Sequence, residues 1–162
     1  MSTYSGGQHN SLPEPTFTPV FDVRVDLAPI EDHSGTSAGH RRVVPILGGR
    51  ITGDIDAEIL PGGADWQIVR PDGTIEIDSR YSARTGRGEL LLLHAKGLRA
   101  GDPEILERLR RGEDVNPNDY YFRTTVAVET AATALADLQR HLFIAAARRQ
   151  VNTVLFRTYR LN

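Results

Sequence analysis

Residues 60–81 read LPGGADWQIVRPDGTIEIDSRY, and this stretch decides the fold. Pro61-Gly62-Gly63 is a turn signal, and residues 64–69 form a short strand-like run after it. Pro71-Asp72-Gly73 is a tight turn: Pro presets φ at a corner position and Gly supplies positive φ. Residues 74–81 then alternate, with Ile75 and Ile77 on the face opposite Glu76 and Asp78. Strands this close leave no room for a helical crossover, so they pair antiparallel.

The same pattern continues in both directions. Upstream, Phe21, Val23, Val25 and Leu27 alternate with Asp22, Arg24 and Asp26, the period of a half-buried strand. Residues 31–39 read as a Ser/Gly-rich acidic loop. Residues 41–47 are a strand that Pro45 limits to an edge or a bulge. Gly48-Gly49 is a hairpin turn signal, and residues 50–60 are a third strand. Downstream, residues 89–95 contain Leu90-Leu91-Leu92-Leu93 and read as a strand buried on both faces. Asp102-Pro103 opens a short helix with an apolar stripe of Ile105, Leu106 and Leu109. Residues 120–129 alternate as a strand. Ala-rich residues 131–140 form a second short helix behind Thr130, and residues 142–147 and 153–161 are closing strands. Residues 1–15 are a polar tail that reads as disordered. Residues 16–162 are then one mainly β domain: an antiparallel closed β-barrel of about eight to nine strands with one or two short helices.

Composition narrows the chemistry. The chain has 162 residues, 25% charged and 40% hydrophobic, with a net charge of −2. That balance is globular and argues against a basic footprint for nucleic acid or an anionic membrane. No apolar run approaches the ~20 residues that span a bilayer. The first ten residues lack the basic start and apolar core of a secretory signal, so a cytoplasmic location is expected. There is no Cys, which removes thiol nucleophiles, disulfides and thiolate metal sites. Lys96 is the only lysine. No phosphate-cradling glycine motif and no GxSxG elbow occur. His9, His33, His40, His94 and His141 stand too far apart for a local metal pair, so neither a metal nor a cofactor is expected.

Two stretches carry candidate chemistry. In Asp65-Trp66 the only tryptophan follows a carboxylate just after a turn. It reads either as a core anchor beside a turn cap, or as a carboxylate and an indole N–H at a cavity mouth. In residues 120–130, YYFRTTVAVET, Tyr121, Arg123, Thr125, Ala127 and Glu129 share one strand face. Periodicity does not say whether that face meets water or a lumen. Ser79-Arg80-Tyr81 poses the same question.

Residues 41–49 (RRVVPILGG), 60–81, 120–130 and 138–149 (LQRHLFIAAARR) resemble the family known as domain of unknown function 3237. The resemblance covers nearly everything from Phe17 onward. It implies a small antiparallel barrel, similar to allene oxide cyclase and dirigent proteins and often oligomeric. It implies that Asp65, Trp66, Arg80, Tyr81, Arg123 and Glu129 line a pocket. Arg42 and Tyr121, within the matched segments, join them as substrate-binding candidates.

The expected function is a small-molecule-binding barrel. The first reading is a cofactor-free enzyme for cyclisation, isomerisation or addition/elimination on a partly apolar substrate, of a kind that serves secondary metabolism. Tyr81, Arg123 and Asp65 are its catalytic candidates. Trp66, Tyr81 and Arg123 are expected to converge in one cavity, with Asp65 and Glu129 at its rim. The alternatives are a non-catalytic carrier or sensor, and a hydrolase using Asp65 or Glu129 to activate water. The leucine run, apolar on both faces, points to a homo-oligomer, most simply a dimer.

Overall fold

Alternation sets the faces of β1 (Phe17–Leu27), where Phe21, Val23, Val25 and Leu27 are buried and Asp22 and Arg24 face solvent. The computed structural model describes residues 11–162; the first ten residues of the expected tail lie outside them. After β1 come β2 (Glu31–Thr36), β3 (Gly39–Gly53), β4 (Ala57–Ile59), β5 (Ala64–Val69), β6 (Ile75–Thr85) and β7 (Leu90–Ala100). Helix α1 (Pro103–Arg110) follows, then β8 (Tyr121–Thr130), β9 (Phe143–Arg149) and β10 (Thr153–Leu161).

Every strand pairing is antiparallel, and the sheet closes on itself. The ring runs β1, β10, β9, β8, β7, β6, then one position shared by β4 and β5, then β3, which pairs back to β1. Residues of β5 pair with the first part of β3 and those of β4 with its second part, so the two short strands lie end to end. The result is an eight-strand closed barrel, with β5 sharing the place of β4 and β2 an outlying arm on β3.

Inward residues fill the lumen in two clusters. The larger holds Phe21, Ile51, Ile59, Leu93 and Phe143. The smaller gathers Ile75, Ile77, Tyr120 and Phe122 around Leu109 of α1, so the helix covers one barrel end. Each fully buried aliphatic contributes about 1.5–3 kcal/mol. Asp102 and Pro103 start α1 as expected, with Pro in the first turn where its missing N–H costs nothing.

Four local expectations are corrected. Residues 31–39 hold strand β2, whose exposure on both faces hides it from a hydrophobic pattern. Gly48-Gly49 does not reverse the chain; β3 runs straight through it. Gly49 has φ +141°, and a Cβ there would lie 1.9 Å from the Arg24 carbonyl oxygen. The glycines permit a close approach of β3 to β1 at a bulge, where the register shifts between Asp26 and Leu27. The leucine run is buried on one face only: Leu91 and Leu93 point inward, while Leu90 and Leu92 are 54% and 41% exposed. Residues 133–140 form 3-10 turns rather than an α-helix, with the Thr130 hydroxyl accepting from the Ala132 N–H at 3.1 Å.

Gly49→Val should therefore cost about 3 kcal/mol or more in chemical unfolding, because strain and backbone overlap combine at the closing seam. Gly86→Ala, at a turn with nothing near its Cβ position, should change stability by no more than about 0.5 kcal/mol.

Candidate active site

Strand alternation delivers polar groups to one end of an otherwise apolar lumen. Asp65 and Gln67 come from β5, Ser79 and Tyr81 from β6, Arg99 from β7 and Arg149 from β9. The opposing wall is apolar, with Val25, Val44, Phe122 and Phe156. Together they enclose a cavity of about 50 Å³. A second hollow of about 280 Å³ adjoins it beside α1, and the two share Gln67, Arg99 and Arg149. Arg42 also lines this vestibule.

The side chains at this boundary form one polar relay. Arg42 donates through Nε and Nη2 to the Gln67 Oε1, at 3.2 and 2.7 Å. Gln67 Nε2 donates in turn to Asp65 Oδ2 at 2.7 Å. Asp65 Oδ1 accepts from the Asp78 backbone N–H at 3.0 Å. Burial pushes the Asp65 carboxyl above the usual carboxylate range despite these donors and the nearby Arg99. Tyr81 is fully buried and its hydroxyl has no hydrogen-bond partner among the described residues; burial pushes that phenol up, so it stays protonated.

Arg99 is the most unusual residue in the lumen. It is only 7% exposed, its Nε has no hydrogen-bond partner among the described residues, and its guanidinium sits 5.7 Å from the centre of the Phe122 ring. Burial lowers its pKa to about 10, helped by repulsion from Arg149 and Arg42. It is still charged at neutral pH. Arg149 is held by its neighbours: its Nη2 donates to the Val151 carbonyl at 3.2 Å and its backbone N–H to the Tyr120 hydroxyl at 3.0 Å.

The expected convergence of Trp66, Tyr81 and Arg123 is not what the structure shows. Asp65 and Tyr81 line the lumen and Arg42 its vestibule. Trp66 is 40% exposed, and Tyr121 is 53% exposed on the outer wall. Arg123 also lies outside, stacked 5.6 Å from the Tyr121 ring centre and donating from Nη1 to the Phe122 carbonyl at 3.0 Å. Arg80 and Glu129 are exposed as well. The cause is period two. Phe122, Thr124, Val126 and Val128 take the interior of β8, which sends Tyr121, Arg123 and Glu129 outward. Arg80 and Trp66 alternate with inward neighbours in the same way.

Sequence reading missed Gln67, Arg99 and Arg149. A signal was present. Arg99 is in phase with Leu91, Leu93 and Ala95, and Arg149 with Phe143, Ala145 and Ala147. A guanidinium at the end of an apolar face marks a strand end that faces inward. Among the described residues no three His, Asp or Glu side chains gather as a metal site. No helix among them is long and apolar enough to cross a membrane.

The model for "Protein of unknown function (DUF3237)" matches residues 15–161. The chain belongs to this family. A UPF0311 protein from Bradyrhizobium diazoefficiens is 36% identical over 136 residues, 84% of this chain and 90% of that one. The crystal structure of a conserved protein of unknown function from Rhodopseudomonas palustris matches this DUF3237 barrel with a TM-score of 0.88 and 33% identity. The match covers 94% of this chain and all of the other. A beta-barrel like protein from Acinetobacter baumannii AYE gives a TM-score of 0.82 at 38% identity, covering 94% and 99%. An enzyme from Penicillium herquei shares the fold, with a TM-score of 0.68 at 17% identity over 94% and 99%.

The raised Asp65 pKa sets a pH dependence. Stability from the protonated carboxyl is fully present below its unfolded pKa and is lost as pH rises through the folded one. Asp65→Asn cannot ionise, so its melting temperature relative to wild type should rise as pH climbs from about 4 through the raised pKa of Asp65. Paired thermal melts across that range measure it.

Proposed function

We propose that the lumen of this DUF3237 barrel is a small-molecule site, and that the protein is a cofactor-independent enzyme acting by proton transfer. One observation carries the reading: a titratable carboxyl, Asp65, lies buried in a mostly apolar cavity that also contains Arg99. A fixed charge beside a group with a displaced pKa is how acid–base sites are built. Asp65 takes a proton from a carbon or hydroxyl of the substrate and returns it elsewhere. Tyr81, whose hydroxyl has no protein partner, donates a hydrogen bond to a substrate oxygen. Arg99 stabilises negative charge developing on an enolate or alkoxide. Cyclisation, isomerisation and addition/elimination all need this set. Enclosure adds positioning, which lowers the barrier by restricting the substrate to a reactive conformer.

The carrier reading makes the opposite prediction for chemistry. Wild-type protein should accelerate deuterium exchange from solvent into the carbon next to the carbonyl of small cyclic ketones, followed by proton NMR. Asp65→Asn should reduce the rate about 100-fold or more. Ketones that bind without exchange would instead identify a carrier.

A homodimer through the outer face of β7 is a further proposal, supported by the exposure of Leu90 and Leu92. Light scattering at micromolar concentration should give twice the monomer mass, and Leu92→Glu should halve it.

A further inference from the structure

We infer that the molecule taken into the lumen is a monocarboxylate, its carboxylate seated between Arg99 and Arg149 and its apolar body against Phe122, Val25 and Phe156. This deepens the lumen reading and rests on it.

Arg42, Arg99 and Arg149 all line the vestibule, and Arg99 and Arg149 reach the lumen as well. Among the described residues, Asp65 is the only acidic one lining either hollow. Both its oxygens already accept hydrogen bonds, from Gln67 and from the Asp78 backbone. Three guanidiniums against one carboxylate leave a positive excess of two units at this boundary even with Asp65 ionised. A buried guanidinium without a partner costs several kcal/mol, and an aliphatic residue would fill the same space more cheaply. The fold keeps Arg99 instead, with Nε unpartnered among the described residues and the guanidinium over the Phe122 ring.

The missing partner is an anion, and geometry selects its type. A guanidinium presents a planar fork that matches a carboxylate edge to edge. The lumen beyond is narrow and apolar, with room for a small hydrocarbon body and little else. The carboxylate then offsets one of these positive charges, and the carbon chain reaches toward Asp65 and Tyr81.

Arg157, on the outer wall, behaves differently: its Nε and Nη2 donate to the Asp22 carboxylate at 2.8 and 3.1 Å.

The test compares acetate, isovalerate and benzoate with acetamide, isovaleramide and benzamide by titration calorimetry. The Arg99 Nε–Hε signal, assigned by its loss in Arg99→Met, is followed by NMR in the same titrations. The acids should bind and shift that signal, and the amides should bind about tenfold more weakly or worse. Arg99→Met should weaken acid binding by a similar factor while raising the melting temperature of the free protein, because a buried unpaired charge is removed. Arg149→Met supplies the second variant should Arg99→Met fail to fold, with the same loss of acid preference expected. Amides binding as well as acids would overturn the inference while leaving the lumen as the ligand site. So would an Arg99→Met protein that is destabilised yet binds benzoate unchanged, since Arg99 would then be structural. Binding of neither class at millimolar concentration would overturn both this inference and the lumen reading.

Discussion

The pairing of β1 with β3 is the constraint on which the structure depends. Without it the molecule is an open, curved sheet with two exposed edges and no interior. With it, hydrogen bonds from Phe21 opposite Gly53 to Leu27 opposite Ile46 close the ring, and every inward side chain acquires a neighbour across the lumen. The seam is tight because β3 carries glycine where it passes β1. At both Gly49 and Gly53 a Cβ would overlap carbonyl oxygens of the neighbouring strand. Closure is thus written into two residues that contribute no side chain.

Closure also sets the electrostatics. Inside the ring water is scarce, so a carboxyl is driven toward its neutral form and a guanidinium is left wanting a counter-charge. The barrel contains both and separates them by roles. Asp65 is satisfied by Gln67 and backbone, whereas Arg99 is held against a ring face. A wall that is mostly aliphatic can carry this only because the rest of the core is well filled, from Phe21 to Phe143. The polar end is a cost that the larger cluster offsets.

Much of this was legible in the sequence. Strict alternation in residues 21–27 and 120–129, and the turns at residues 61–63 and 71–73, give an antiparallel barrel. What alternation cannot give is which face is inside. In β8 the face with a phenol, a guanidinium and a carboxylate looked suited to a lumen, but the alternate face offered Phe122, Val126 and Val128, and burial of apolar area decided the matter. In the leucine run both faces were apolar, and nothing local could choose. The arginines that do point inward were hidden at strand ends, where an apolar phase read only as far as its last aliphatic stops one residue too soon. β2 escaped because it packs on nothing and so has no hydrophobic phase.

The seating of β1 between β3 and β10 has a consequence for how the molecule is made. One neighbour of β1 lies close in the chain; the other, β10, is the last strand of the domain. A ribosome delivers β1 and β3 early, yet β1 must wait for the final strand with its other edge bare. Pairings between chain ends are slow to find, on the order of milliseconds to seconds for such topologies. Until β10 docks, the lumen lacks the wall that Val154 and Phe156 supply, so the interior that buries Arg99 is complete only once the last strand is in place.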